Sequence, residues 1–408
     1  MAVITKKDKM LYYKYHVKEL FIIIGNETTK LDLERLNSFT IVDNYIEDMY
    51  PTIKCDLALE ESMYYKILKK KKDVKIKIYF QTFYREGTKK KKSVKKKAFS
   101  EIFYLILDDG TDDLGEKIRK EEYPKGDKNQ MNAVTTTSEL FLYKRDVIQK
   151  NTNVVGGIFH NCTVTTALTY VMTKSGINNV LMSRSDNPTA YQFLFLPQMS
   201  AIEALQYLDT FYGIHRSGTM MYFGMNRTYI IPYCRPSGAV GRDEKEVVTV
   251  VIPDKGSHMV DNSCQIKKKG DKNKVYIVAE PDSFDVQNMD VTQSVLKPED
   301  ITIVDVADGS IEKTKIKNRS TIVKKTVNPF FIDTFNAKVE SNRCVVELFF
   351  KDIDFGLLTP NKTFQLVFED TKLSKKYKGN FFLCSTEINF LKEGKEFSVG
   401  INAIFRKM

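Results

Sequence analysis

The residues best equipped for chemistry are His160 and Cys162, separated only by Asn161. An imidazole beside a thiol can take its proton and leave a thiolate nucleophile, provided a third group orients the base. No orienting group is evident nearby and the stretch reads as a loop, so a nucleophilic pair is not expected. The other cysteines (Cys55, Cys234, Cys264, Cys344 and Cys384) form no Cys-x-x-Cys pair, and His16, His215 and His258 stand at no ligand spacing. Free, buried thiols and no metal centre follow. The acidic run from Asp108 to Gly115 lacks the alternating oxygens and closing Glu of a calcium loop and reads as an exposed turn. Gly156 and Gly157 lack the Lys and Ser/Thr of a phosphate loop, and no Gly-x-Gly-x-x-Gly occurs. An enzyme and a bound cofactor are therefore not expected.

Basic charge is the strongest remaining feature. The chain has a formal charge of +11, placed unevenly. Lys66, Lys69 to Lys72, Lys75 and Lys77 form one cluster; Lys89, Lys90, Lys91, Lys92, Lys95, Lys96 and Lys97 form a second. Such density repels itself, so Arg85 to Lys97 reads as a solvated, mobile loop between strands. Lysines also release counterions from nucleic-acid phosphates, which makes the second cluster a candidate polyanion contact of the sequence-nonspecific kind. The Arg forks and interleaved aromatics of a base reader are missing.

These groups sit on a chain of 408 residues, long enough for two to four domains. Its longest apolar runs, such as Phe21 to Ile24, are far too short to span a bilayer, and its first residues have no secretory pattern, so assembly in a cytoplasm is expected. From Tyr12 to about Leu107 the pattern is strand-like: Leu20–Ile24 halts at Gly25-Asn26, Phe39–Val42 and Thr52–Leu59 follow, and Lys75–Phe83 alternates with Ile76, Ile78 and Phe80 inward. Ala98–Leu107 is the return strand, and Tyr64, Ile67 and Leu68 share one side of a helix or turn over Glu60–Lys70. Residues 116–132 read as a flexible connection, and 135–147 returns to strand.

The middle of the chain alternates helix and strand. Val164, Ala167, Leu168, Val171 and Met172 fall on one helical stripe stopped by Gly176. An apolar run, Phe193–Pro197, precedes a second helix in which Ser200 and Glu203 form a capping box and Gly213 the left-handed stop. Met220–Phe223 and Thr228–Ile231 then read as a hairpin. Beyond Pro236 seven candidate strands recur: Val247–Ile252, Val275–Val278, Ile301–Val306, Cys344–Phe350, Thr363–Phe368, Asn380–Cys384 and Phe397–Phe405. They argue for a second all-β unit.

The helix ending in Phe211-Tyr212-Gly213, followed by an aromatic hairpin ending in Tyr229-Ile-Ile231, resembles the middle domain of contractile-phage baseplate hub proteins, a family that includes the T4-type hub, the late control protein D type and the hub part of type VI secretion spikes. Ile41 to Ile53, with Tyr45, Met49 and Pro51, is loosely similar to a phrase of that family's first barrel. Asn328-Pro-Phe330 before a β meander, Leu358-Thr-Pro-Asn361, Val367-Phe368 and Lys378-Gly379 resemble its second. The resemblance implies two tail-tube-like antiparallel β-barrels flanking a two-helix α/β domain, with boundaries at residues 1–145, 146–238 and 239–408. It further implies a homotrimeric virion protein of the tail baseplate that adapts a sixfold tail tube to a threefold spike and lines the channel for DNA. Its partners would be the tail tube protein, the central spike protein, and tape measure and wedge proteins. The competing readings are a nucleic-acid-binding protein acting through the lysines of 66–97 and, more weakly, a cell-wall hydrolase.

Overall fold

The structure is a computed structural model that describes residues 8–70, 74–86, 94–105, 135–144, 147, 152–233, 247–254, 262–268, 274–281, 283–297, 301–305, 320–324, 326–393 and 396–408. The acidic run at 108–115, the connection at 116–132 and Lys89–Lys92 lie outside the described residues.

Period-two alternation becomes strand wherever one face can be covered. In the strand Val74–Glu86, Ile76, Ile78 and Phe80 are buried while the intervening lysines face outward. It pairs along its length with Lys9–Ile24, which turns at Gly25 (φ 61°) into Glu27–Leu31. The lysine-rich return strand begins earlier than the sequence suggests: Val94–Leu105 pairs Lys95 with Phe83 and Lys96 with Thr82, and Arg85 and Glu86 still pair with Tyr12 and Leu11. Only residues 87–93 remain between the two strands. Facing strands supply the hydrogen bonds that outweigh lysine repulsion at this end.

The protein is mainly β, and its first and last regions form one sheet of fifteen strands. Asn380–Glu393 pairs with Leu36–Asn44 on one side and with Glu396–Lys407 on the other. From Leu36–Asn44 the ladder runs through Thr52–Glu60, Thr135–Lys144, Val94–Leu105, Val74–Glu86 and Lys9–Ile24 to Glu396–Lys407, where Tyr15 meets Phe397, and so returns to its start. A second circuit runs from Asn380–Glu393 through Thr363–Phe368, Val247–Ile252, Val275–Val278 and Cys264–Lys267 to Lys9–Ile24. Both circuits share the last two strands and the first. Phe390, from the end of the chain, lies 4.7 Å from Phe80 and 5.8 Å from Phe39, and Phe103 stands 5.6 Å from Phe39. Each ring so buried is worth about 1.5–3 kcal/mol of transfer free energy, and each contact adds roughly 0.5–1.5 kcal/mol.

Two expectations for the C-terminal region change. Val247–Ile252 pairs in parallel with both its neighbours rather than antiparallel. Its composition, Val-Val-Thr-Val-Val-Ile, suits a strand covered on both faces. Asn328-Pro-Phe330 leads into a helix, Phe331–Ser341, not into a β meander. The Asn328 side chain accepts from the Phe330 N–H at 2.7 Å and donates to the carbonyls of Asp209 (3.2 Å) and Thr210 (3.4 Å). That tie explains Gly213 twice over, since its φ is 75° and an added Cβ would lie 2.1 Å from the Asn328 oxygen.

The middle region has its own core. Helix Val164–Lys174 buries Val164, Ala167, Leu168, Val171 and Met172, and Gly176 (φ 63°) ends it. Helix Ala201–Tyr207 opens on a complete Ser200/Glu203 capping box, which holds the Glu203 carboxyl below its usual range, and closes in a wider turn over Leu208–Tyr212. The hairpin Thr219–Phe223 with Thr228–Pro232 gains a third, parallel strand, Val180–Met182.

A buried carboxylate joins this region to the large sheet. Asp43, 6% exposed, accepts from the Tyr222 hydroxyl at 2.6 Å and the Thr386 hydroxyl at 3.3 Å, so the hairpin, an early strand and a late strand meet on one side chain. Burial raises its pKa to about 6, and the two hydroxyl donors only partly offset that. Because the folded pKa lies above the unfolded value of about 3.9, the folded state binds more protons at this carboxyl, and its contribution to stability falls as pH rises from about 4 through 6. Asp43→Asn removes the charge; its amide oxygen still accepts from Tyr222, and its NH2 donates to the Thr386 hydroxyl in place of accepting from it. Urea denaturation should therefore find it more stable than wild type at pH 8, on the order of 2 kcal/mol, with the gap closing near pH 4. A difference between variant and wild type that stays constant from pH 4 to pH 8 would contradict the account.

Candidate interaction surface

The residues singled out for chemistry do not converge. His160 and Cys162 lie in the strand Val154–Cys162, not in a loop. Asn161 takes a left-handed backbone (φ 46°), which turns Cys162 inward, where burial raises its thiol pKa. His160 stays outside, edge-on to Phe193 with ring centroids 4.9 Å apart. Imidazole and thiol thus serve different surroundings. The five described cysteines are free and buried, and no group of metal-ligating side chains occurs among the described residues.

Lys66 pairs with Glu27 at 3.5 Å, and Lys77 lies over the Phe21 ring at 5.8 Å. The first lysine cluster is thus partly absorbed by ordinary surface contacts. Of the second cluster, Lys95, Lys96 and Lys97 lie on the strand Val94–Leu105. Lys89, Lys90, Lys91 and Lys92 lie outside the described residues.

Two titratable groups, Asp209 half-buried and His215 buried, escape a motif reading. Asp209 is raised by burial and accepts from the Thr219 hydroxyl at 2.5 Å and the Ile214 N–H at 3.3 Å. His215, 1% exposed, is held below its ordinary pKa by burial, with Asp186 3.6 Å away. Asp209 braces the turn between the second helix and the hairpin.

What the elements do bring together is an apolar face. Val154–Cys162 and Tyr191–Ser200 form a separate two-stranded antiparallel sheet. Leu194 and Leu196 point into the middle core at 0% and 1% exposure, so the residues alternating with them point away. Phe195 opposes Ile158 and Phe193 opposes His160; Phe193, Phe195 and Ile158 are 59%, 52% and 61% exposed. Val154 extends the patch at one end. A bulge between Leu196 and Met199 accommodates Pro197, which the strand passes rather than ending there. Gly156 is required beside it, because an added Cβ would meet the Gln198 backbone at 3.0 Å.

The outer edges of this sheet are closed to a further strand at two points. The Tyr212 hydroxyl accepts from the Phe195 N–H at 2.8 Å and donates to its carbonyl at 3.1 Å. Tyr170 donates to the Gly156 carbonyl at 3.4 Å. A strand added at either point would have to displace a tyrosine hydroxyl. The two strands, Val-Val-Gly-Gly-Ile-Phe-His-Asn-Cys and Tyr-Gln-Phe-Leu-Phe-Leu-Pro-Gln-Met-Ser, contain no Lys, Arg, Asp or Glu, in a chain that is 28% charged. That absence was the available signal for Ile158, Phe193 and Phe195, of which the sequence reading placed only the phenylalanines, inside a generic apolar run.

No curated protein matches the chain. Among solved structures, it is similar to a tail protein from Neisseria meningitidis MC58 at 8% identity and a TM-score of 0.47, covering 97% of this chain and 96% of that one. It is similar to the 43 kDa tail protein of prophage MuSo2 from Shewanella oneidensis at 11% identity and a TM-score of 0.47, covering 95% and 96%. It is also similar to the E. coli c3393 protein, described as a type VI secretion component similar to the T4 tail proteins gp27 and gp5, at 8% identity and a TM-score of 0.39, covering 90% and 73%. The family model of the Bacteriophage PBS1 gene 109 protein matches residues 6–408, nearly the whole chain, and the protein belongs to that family.

Proposed function

We propose that this protein is a structural component of a phage virion, a homotrimeric hub of the tail baseplate that joins the tail tube to the central spike and lines the channel for DNA. Membership of a phage gene-product family supports a virion role. The segment that carries the hub resemblance has the strand, capped helix and hairpin the sequence implied. The observation that carries the reading furthest is the strand pairing, which returns on itself in two circuits that share a wall. Under this reading the circuits are the two tube-like barrels, built by residues 1–145 and 239–408 together, with 146–238 set against them as a spacer. Such closure leaves few open strand edges, as a channel-lining ring requires.

The uncharged face of Ile158, Phe193 and Phe195 is the contact we assign to a neighbouring copy. Two chains of net charge +11 can approach there without bringing fixed like charges together. The tail tube, spike, tape measure and wedge proteins would occupy other surfaces, and assembly would take place in the host cytoplasm. Lys89–Lys92 and Lys95–Lys97 would meet passing DNA only transiently.

Sedimentation velocity at micromolar concentration should give a trimer; a strictly monomeric protein would overturn the proposal. Phe193→Asp with Phe195→Asp should lower the trimer fraction while leaving the folding stability of the subunit within about 0.5 kcal/mol, since both side chains are exposed. Leu194→Ala, from the opposite side of the same strand, should instead cost about 2–5 kcal/mol.

The nucleic-acid reading is separated by DNA retention measured across a salt series, with and without residues 89–97. A hub should bind duplex DNA weakly and lose little on deletion. A steep salt slope that vanishes with the lysines would favour the rival.

A further inference from the structure

Among the described residues, every strand of the large sheet but two pairs with at least two others. The exceptions are Glu27–Leu31, which pairs only with Lys9–Ile24, and Asp285–Asn288, which pairs only with Cys344–Lys351. We propose that these two open edges pair with each other between copies, Glu27–Leu31 of one copy lying parallel to Asp285–Asn288 of the next. The inference rests on the trimeric reading above and names the strands through which its copies join.

Backbone direction makes the first argument. A two-residue turn joins Ile24 to Glu27 as a hydrogen-bonded pair, so by antiparallel alternation Thr28 and Lys30 aim their N–H and C=O groups at the open side. The Met289 N–H donates to the Arg343 carbonyl at 3.1 Å, and the same alternation turns the backbone groups of Val286 and Asn288 outward. Ladder groups aimed away from the sheet are a template for another strand. A contact between two unlike edges is head-to-tail, and its repetition closes a ring when the rotation allows. Each copy has one edge of each kind, so such a ring leaves none open.

Side chains decide the direction of pairing. Thr28 and Lys30 lie on the solvent face, opposite the half-buried Ile23 and Phe21, whereas Val286 and Asn288 lie opposite the buried Val346 and Cys344 on the core face. In a parallel pair, a residue whose bonds point toward the partner sits beside one whose bonds point away, which sets Thr28 and Lys30 beside Asp285 and Gln287, solvent face to solvent face. Antiparallel pairing would instead set Lys30 beside the core-facing Val286 or Asn288. Charge agrees with the parallel arrangement. Asp285 stands directly across from Glu347, and two carboxylates so placed repel. Lys30 and Lys77 flank the Phe21 ring at 5.7 and 5.8 Å and bring positive charge to the other edge. Two features oppose: Lys30 already pairs with Glu19 at 3.2 Å, and Asp285 accepts from the Val286 N–H at 2.8 Å, which blunts that edge. Both contacts are exposed, where they are weak and a neighbouring strand can replace them.

Thr28→Pro and Asn288→Pro each remove one outward N–H and leave the bonds to the existing neighbour strand in place. Sedimentation velocity of the full chain should show each variant assembling about tenfold or more weakly than wild type. An equimolar mixture of the two should give dimers, because one contact between unlike copies stays intact. Asn288→Ala, which loses only the side-chain bond to the Tyr377 hydroxyl at 3.1 Å, should assemble as wild type. Hydrogen exchange of the wild-type protein keeps the test open if a proline variant fails to fold: residues 27–31 and 285–288 should exchange about tenfold or more slowly above the assembly concentration than below it. A wild-type trimer whose two edges exchange equally fast at both concentrations, proline variants that assemble as wild type, or a mixture that stays monomeric would overturn the proposal and leave the hub reading standing. A wild-type protein that stays monomeric would overturn both.

Discussion

The strand Asn380–Glu393 has to be paired on both sides, and almost everything else in the protein follows from how that is done. One side meets Leu36–Asn44, more than three hundred positions earlier, and the other meets the chain's own last strand. Until the end of the chain arrives, Leu36–Asn44 has an unsatisfied edge and Phe39 lacks the Phe390 ring beside it. The first region therefore cannot complete its core alone. Such non-local pairing carries a loop-closure entropy cost before any contact repays it, which predicts slow, cooperative folding of both β regions as one unit.

The Asp43 knot stands on that seam. Its two donors come from Tyr222 and Thr386, so the middle region docks where the early and late strands already meet. Nearby, the Phe223 N–H donates to the Met49 carbonyl at 2.7 Å, and Tyr45 packs edge-on to Tyr222 at 4.6 Å. On the far side the Tyr233 hydroxyl is 2.9 Å from that of Ser341 and accepts from Arg406 at 3.3 Å. The middle region is thus tied to the rest of the protein at both of its ends. Its outward sheet is then free to carry an apolar face, because folding does not depend on covering that face.

Local order was largely legible from residue types. The Ser200/Glu203 box, the stripe from Val164 to Met172, the stops at Gly176 and Gly213 and the hairpin around Gly224-Met-Asn-Arg227 each rest on contacts a few residues apart, and each is present. Less legible were elements whose stability comes from distant partners. Phe331–Ser341 has one buried residue, Ser341, and is held at its start by Asn328 reaching the turn at Asp209, so its own pattern announces little. His160 and Cys162 read as a loop, yet pairing with Tyr191–Ser200 makes the stretch a strand.

The amino-acid sequence by itself determined the class of protein. Alternating apolar residues and capped amphipathic helices specify a mainly β chain with a helical middle, since these depend on periodicity and short-range hydrogen bonding. Tertiary structure alone decided that the two β regions form one sheet, that Val247–Ile252 runs parallel to its neighbours, and that Phe193 and Phe195 face outward while Leu194 and Leu196 face in. The physical reason is that an apolar strand carries the same local signal whichever partner it pairs with and whichever face is covered. Only the closing of distant strands on one another settles both.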